Sequence, residues 1–240
     1  MARTVVQLKP RHETVPARYD MYAQIHKGLR SFMMHTLEAV GKVDVLDDCE
    51  TREALDMLRA LLALCRTHLE KENAYVHAAL EARRPGSCAE IALEHAHHER
   101  SIAALEEAAR GLEQTAGEAR AAASLGLYRA VALFVAENFE HMHVEETAMN
   151  ALLWEAYDDA ELVAIERAIV ASIPPAQAMV VARWMLPALG AAERAAKLSA
   201  MQANAPREAF AGVLAMLRKN LSERDWYKLG AALGPTAPAA

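Results

Sequence analysis

Several residue types and patterns are scarce in this chain, and each scarcity excludes a class of protein. The three cysteines, Cys49, Cys65 and Cys88, are odd in number and lie too far apart for a C-x-x-C pair, which argues against a disulfide framework or a thiolate zinc site and indicates reduced thiols. Ten glycines and nine prolines in 240 residues are too few for a disordered, collagen-like or turn-rich all-β chain. No run approaches the ~18 apolar residues of a membrane span, and the N-terminal stretch lacks the apolar core of a signal peptide.

Positive charge is also in deficit, since 26 Lys and Arg face 32 Asp and Glu for a formal net charge of −6. A nucleic-acid groove needs a basic patch, and no cluster of Lys or Arg supplies one. We therefore expect a cytoplasmic protein with neither a nucleic-acid nor a membrane partner. Hydrophobic residues make up 53% of the chain but aromatics only 5%, so the core must be aliphatic and rich in alanine.

Apolar residues recur at intervals of three and four, which predicts an all-α protein. Four long amphipathic helices are expected at about 16–40, 51–83, from Ser87 to the turn at Gly117, and 118–154. Long helices joined by short turns favour an up-down-up-down four-helix bundle, which we place at residues 16–157. Residues 158–233 contain no histidine and are predicted to form additional, shorter C-terminal helices, packed on the bundle or on a second subunit as a homodimer.

Two helix starts carry predicted capping residues. Ser87 and Glu90 have the spacing of a capping box at the start of the third helix. Asp158 is predicted to cap the first of the C-terminal helices.

Each of the four bundle helices has an apolar stripe that histidine interrupts, and in two of them a carboxylate interrupts it as well. His68 and Glu72 share one face because residues four apart lie one above the other, and His141 and Glu145 repeat this spacing. The predicted inward stripes are Tyr22, His26, Leu29, Met33, Leu37 and Val40; Leu58, Leu62, Cys65, His68, Glu72, Val76 and Ala79; Ile91, His95, His98, Ile102, Leu105, Ala109 and Leu112; and Val131, Phe134, Asn138, His141, Glu145, Ala148 and Leu152.

A buried carboxylate needs a partner, and no Lys or Arg occupies these stripes. A metal ion would satisfy both the imidazoles and the carboxylates, and because two Glu residues can bridge, two metal ions are favoured over one. The residues expected at this site are His26, His68, Glu72, His95, His98, His141 and Glu145. The other histidines are expected to lie on the surface or beside the site: His12, His35, His77, His97 and His143.

At these residues the sequence resembles the hemerythrin-like family, also called the HHE cation-binding domain. The matching elements are His26 in IHKGLR, HLEKE with His68 and Glu72, EHAHHE at 94–99, and HMHVEE with His141, over roughly residues 16–157. The resemblance implies two non-haem iron ions in a four-helix bundle, held by terminal histidines and two bridging carboxylates, and leaves an oxo or hydroxo bridge open. It makes His26, His68 and His141 terminal ligands, with His98 and His95 as candidates on the third helix. Glu72 would be one bridge, and Glu145 or Glu146 the other.

The chain departs from the oxygen-carrying members at two places. They have H-x-x-x-H on the third helix, where position 94 is Glu in this chain, and H-x-x-x-x-D on the fourth, where this chain offers Glu145 or Glu146. We favour Glu145 because it fits the stripe. A ferritin-like site is disfavoured because its E-x-x-H pairs, at 94/97 and 140/143, fall off the stripes on consecutive helices.

The predicted function is therefore a hemerythrin-like di-iron protein that binds or senses a small diatomic molecule such as oxygen, peroxide or nitric oxide. No side chain forms an organised nucleophile or general base, so we do not expect an enzyme apart from redox chemistry at the irons. The apolar lining would be Leu29, Met33, Ile102 and Phe134. The alternative is a metal buffer or sensor whose helices respond to the metal state.

Overall fold

The computed structural model describes residues 18–234, and within that range it is helical with no β-strand. His12 and the predicted first helix start at Pro16 lie outside the described residues. The first bundle helix is α1 (Ala23–Lys42), and the third is α4 (Ala89–Gln114). The second and fourth bundle helices are each continuous but contain one π-helical segment.

The second bundle helix consists of α2 (Asp48–Lys71), the first π segment (Glu72–His77) and α3 (Ala78–Arg83). The fourth consists of α5 (Glu118–Val144), the second π segment (Glu145–Met149) and α6 (Asn150–Ala156). Shorter helices follow in the described part of the chain: α7 (Asp159–Ala171), α8 (Pro175–Ala188), α9 (Ala191–Asn204), α10 (Arg207–Asn220) and α11 (Glu223–Leu233).

The four bundle helices form a closed ring, because α1 contacts α2 and α5, and α4 contacts the same two helices from the other side. A helix of 20 residues, the length of α1, spans about 30 Å. The connections at 43–47, 84–88 and 115–117 are too short to cross that distance, so each helix must run antiparallel to the one before it. The predicted up-down-up-down bundle is confirmed.

The two predicted caps have different outcomes. Asp158 caps α7, and with Glu161 it forms a reciprocal capping box, as expected. The capping box at Ser87 is wrong, because α4 begins after Cys88 and no side chain caps it. The carboxylate of Glu81 instead accepts a hydrogen bond from the backbone N–H of Cys88 at 2.8 Å, which ties the turn to the preceding helix.

A polar layer divides the bundle interior into two apolar clusters. The central cluster includes Leu29, Met33, Leu58, Leu62, Ile102, Val131 and Phe134. The end cluster, next to the turn between α3 and α4, consists of Tyr22, Val76, Leu80, Cys88, Ile91, Met149, Leu153 and Leu162. Along α1, His26 falls between Tyr22 of the end cluster and Leu29 of the central cluster, and the other bundle helices place polar residues at the same level. The predicted apolar lining is buried in the central cluster.

The two π segments shift the buried face of their helices by one residue. Each turn of π-helix contains an extra residue, so side chains beyond it rotate relative to an unbroken α-helix. The predicted stripes are therefore correct as far as Val76 in the second bundle helix and Glu145 in the fourth, and wrong beyond those residues. Leu80 is buried where Ala79 was expected, and Met149 and Leu153 are buried where Ala148 and Leu152 were expected.

The C-terminal helices contact the bundle mainly through α8, which lies along α1. A Cβ atom added at Gly28 would lie 2.7 Å from the Cα of Met185, so glycine allows the two backbones to approach closely. Beside this crossing, the rings of Phe32 and Trp184 stack with centroids 4.0 Å apart. α8 to α11 also bury a cluster of their own, which includes Leu198, Val213 and Leu217. The division into a bundle at 16–157 and an annex at 158–233 stays a prediction.

By length and composition alone, one helix of the described chain, Glu118–Ala156, could cross a membrane, with a mean hydropathy of 1.3 in its most apolar window. The helical pair Asp159–Ala171 and Pro175–Ala188 meets the same criteria only if it counts as one span despite a bend of 119°. A buried core helix meets these criteria too; 28% of that window is buried, and Glu118–Ala156 carries His141 and Glu145 on its buried face. The expected absence of a membrane partner stays a prediction.

Candidate metal centre

Six side chains from the four bundle helices meet in the polar layer and form two overlapping groups. The first group is His26, His68, Glu72 and Glu145, and the second is Glu72, His95, His141 and Glu145. Within each group, one potential ligand atom per residue lies within 4.8 Å of all the others. Both carboxylates belong to both groups, while each group has its own pair of imidazoles. All six are buried except His68, which keeps 14% of its side chain exposed.

The two carboxylates each direct one oxygen toward each imidazole pair. Glu72 places Oε1 3.1 Å from His68 Nε2 and Oε2 3.8 Å from His95 Nε2. Glu145 places Oε2 3.4 Å from His26 Nε2 and Oε1 3.3 Å from His141 Nε2. This is the orientation that a carboxylate needs to bridge two cations, one in each group.

The ligand atoms of these residues are buried and have no hydrogen-bond partner. They comprise the Nε2 atoms of His26, His68, His95 and His141 and both carboxylate oxygens of Glu72 and Glu145. Each such polar atom costs about 1–3 kcal/mol when it is left unpaired, and an unpaired buried charge costs more. A cation would satisfy these lone pairs together, so the donor set fits a metal. Carboxylate oxygen and imidazole nitrogen without thiolate are compatible with iron, and imidazole suits zinc, copper and nickel as well.

In three of the four imidazoles, a hydrogen bond at Nδ1 fixes the orientation of the ring. Nδ1 of His26 lies 3.0 Å from Glu146, Nδ1 of His141 lies 2.7 Å from Glu94, and Nδ1 of His95 lies 2.8 Å from the side-chain oxygen of Asn73. Each partner accepts a hydrogen bond from Nδ1–H and so leaves the lone pair of Nε2 facing the centre, as is usual around metal-bound histidines.

Glu145 and Glu146, the two candidates for the second bridge, have different positions. Glu145 lies in both groups, whereas Glu146 lies outside them and holds His26. Arg30 donates two hydrogen bonds to Glu146, at 2.5 and 2.9 Å, which fixes the carboxylate on that side. Burial opposes the ionisation of Glu146, but the hydrogen bonds from His26 and Arg30 outweigh it and lower the pKa of Glu146 to about 2.

Without a metal, protons take the place of cations in this layer. Burial and the charge of Glu145 raise the pKa of Glu72 to about 8. Burial acts to lower the pKa of His26, but the carboxylates of Glu146 and Glu72 outweigh it and raise the value to about 9. Burial and the neighbouring His26 lower the pKa of His68 to about 3, so that its Nε2 is free to bind a cation. Metal binding must therefore displace protons.

Among the histidines outside the two groups, His143 is half-buried, and four others are either exposed or buried. His97 is exposed and pairs with Glu137, and His35 is exposed and bonds to the Ser31 carbonyl oxygen. His98 is buried, as its stripe predicts, but it belongs to neither group. His77 was not predicted to lie inside, yet it is buried and its Nε2 has no partner. An unbroken α-helical period turns His77 away from the interior, so no sequence signal pointed to it.

The ferritin-like alternative finds no support in this geometry. Glu94 bonds to the outer nitrogen of His141, and His97 and Glu140 are exposed, so neither E-x-x-H pair reaches the centre.

Comparison with known proteins gives one family. The model of the hemerythrin HHE cation binding domain matches residues 18–153, which contain all six side chains of the two groups. A search of curated proteins gave no match.

Proposed function

The chain belongs to the hemerythrin HHE cation-binding domain family, and from that premise we propose that it is a di-iron protein that binds or senses a small diatomic molecule. The main support for the proposal is the orientation of the two carboxylates. Glu72 and Glu145 each direct one oxygen to the imidazole pair of the first group and the other oxygen to the pair of the second group. His26 and His68 would hold one iron, and His95 and His141 the other. The number of irons and their ligands are part of the proposal.

The donor count leaves room for a small ligand. Two imidazole nitrogens and two carboxylate oxygens give each iron four protein donors, and open positions are typical of non-haem iron sites that bind oxygen. When bound, iron would supply reversible redox change and affinity for diatomic molecules. The apolar clusters on both sides of the polar layer would keep bulk water away from it.

Tyr22 offers a hydrogen-bond donor beside the centre. Its ring lies 5.3 Å from that of His26, between centroids, and its buried hydroxyl has no partner. Burial and the charges of Glu145 and Glu72 raise its pKa well above the usual value, so the hydroxyl keeps its proton. We assign Tyr22 the role of donating a hydrogen bond to the bound diatomic molecule.

A second candidate, a metal sensor, rests on the contact between the C-terminal helices and α1. Lys197 of α9 donates a hydrogen bond to Gln24 at 2.8 Å, and Lys27 pairs with Glu193 at 2.7 Å, so residues on both sides of His26 contact α9. A shift of α1 on metal binding would therefore reach these helices. Limited proteolysis with and without chelator separates the candidates, because strong metal-dependent protection of residues 158–233 favours the sensor.

Metal analysis tests the main proposal. Protein purified without air should contain two irons per chain, one for each group. Its visible spectrum should change when air or nitric oxide is admitted. His68→Ala should lose iron, whereas the matched variant His97→Ala, at an exposed histidine, should retain it. A colourless protein that contains no iron and unfolds at the same temperature with and without EDTA would refute the proposal.

A further inference from the structure

Among the buried polar atoms without a partner, Nε2 of His77 lies outside both groups of ligands. We propose that His77 is a further iron ligand, a third imidazole for the metal position of His95 and His141. This inference rests on the proposed di-iron centre, and it names a residue that the family resemblance did not supply.

The surroundings of His77 place it beside the second group. Its ring stacks on that of His95 with centroids 4.7 Å apart and planes inclined by 26°. After burial, the groups whose charges act on its imidazole include His95, Glu145 and His141, all members of the second group. Ligation would require the ring to move inward, because His77 is not among the residues whose ligand atoms lie within 4.8 Å of one another.

The first π segment explains why a residue of the second bundle helix can reach this position. His77 is the last residue of that segment, five positions after Glu72. In an unbroken α-helix, residues five apart point about 140° away from each other. The extra residue of the π turn rotates His77 back, and both Glu72 and His77 are buried. π turns are rare and occur frequently at functional sites.

His98 is the competing candidate, since it is also buried and its ring lies 4.7 Å from that of His141. The position of the proton on the His98 ring argues against His98 as a ligand. The amide nitrogen of Asn138 lies 3.4 Å from Nδ1 of His98 and also donates to the carbonyl oxygen of Phe134 at 2.8 Å, which fixes which end of the amide is the donor. Nδ1 of His98 therefore accepts, and the proton lies on Nε2. In His26, His95 and His141 the arrangement is the reverse.

The third helix supplies one inward ligand, His95, where His98 faces Asn138 instead. His77 would fill the remaining imidazole position from the neighbouring helix.

The test compares His77→Gln with His98→Gln, a matched pair of buried histidines outside the two groups. Each protein is loaded with ⁵⁷Fe without air, titrated with a competing chelator and examined by Mössbauer spectroscopy. Loss of a hydrogen bond to a ligand already weakens metal sites by about 10–100-fold, so loss of a ligand should cost at least that much. We expect His77→Gln to release one of two irons at least tenfold more readily and to change one of the two iron signals, while His98→Gln keeps both.

Rescue by imidazole keeps the test valid if the Gln variant folds poorly. In His77→Ala, added imidazole should restore the second iron, and it should have no effect on His98→Ala. The inference is overturned if His77→Gln binds both irons with wild-type affinity and signals, or if His98→Gln is the variant that loses one. If the wild-type protein itself does not bind two irons, the proposed di-iron centre fails and this inference fails with it.

Discussion

Replacing Glu72 by Gln should stabilise the metal-free protein and destabilise the iron-loaded one. In the metal-free fold this carboxylate is buried, its two oxygens have no hydrogen-bond partner, and Glu145 lies beside it. Gln has the same shape but cannot ionise. With iron bound, the effect of Glu72→Gln on stability has the opposite sign, because the amide cannot bridge two cations as a carboxylate does.

The magnitude follows from the shift in the pKa of Glu72, from 4.5 in the unfolded chain to about 8 in the folded one. Between these values the folded state binds more protons than the unfolded state, so the stability of the metal-free protein falls as pH rises through this range. At about pH 7 the pH is about two and a half units above the pKa of this carboxyl in the unfolded chain. This difference lowers the free energy of unfolding of the metal-free protein by about 3 kcal/mol. A protein of this size gains about 2–4 °C of melting temperature per kcal/mol, so Glu72→Gln should melt about 6–12 °C higher without metal.

Thermal unfolding followed by circular dichroism in EDTA measures this difference. The advantage of Glu72→Gln should be full above about pH 8 and should disappear below about pH 4.5, where the carboxyl becomes protonated in both states. Glu70→Gln makes the same chemical change at an exposed position of the same helix and should have little effect. With iron, the wild type should melt higher than Glu72→Gln. The reasoning is refuted if metal-free Glu72→Gln is no more stable than the wild type at about pH 8, or if its advantage does not depend on pH.

Two further predictions concern the packing of α8 on α1 and the proposed hydrogen-bond donor. Gly28→Ala should lower the free energy of unfolding by about 1–3 kcal/mol, because its methyl group would overlap the backbone of α8 at 2.7 Å. Gly111→Ala is the control, because a Cβ atom there would have no other atom within 4 Å, and it should raise the free energy of unfolding by about 0.5–1 kcal/mol. Equal effects of the two substitutions in a denaturant titration would contradict the close approach of α1 and α8. Tyr22→Phe should leave iron content unchanged and weaken binding of the diatomic molecule about fivefold, the value of one hydrogen bond of about 1 kcal/mol. Unchanged affinity for nitric oxide or oxygen would remove Tyr22 from the proposal.

The third bundle helix was predicted residue by residue. Its buried set is Ile91, His95, His98, Ile102, Leu105, Ala109 and Leu112, which is the predicted stripe. The helix contains no π turn, so its period stays constant and the sequence determines which face is buried. Periodicity does not indicate which way an imidazole turns once it is inside. His95 and His98 are both buried, and only their partners, Asn73 and Asn138, distinguish them.

In the second and fourth bundle helices, a regular α-helical period predicts the buried face only in part. The positions up to Val76 and Glu145 were predicted, and the later ones were displaced by one residue because a π turn begins at each carboxylate. His77 was missed for this reason. π turns are rare, so the regular α-helical period is the default expectation for a single sequence.

The sequence by itself determined that the chain is an all-α bundle and which four helices bring histidine and carboxylate to its interior, since both depend on local periodicity and the cost of burying charge. Only the tertiary structure decided that Glu145 rather than Glu146 lies in both groups of ligand atoms, that His77 is buried, and that α8 lies against α1 at Gly28. Those outcomes depend on how separate helices meet and on small rotations within them. Contacts between distant segments set these rotations, and the residue pattern of one helix does not contain them.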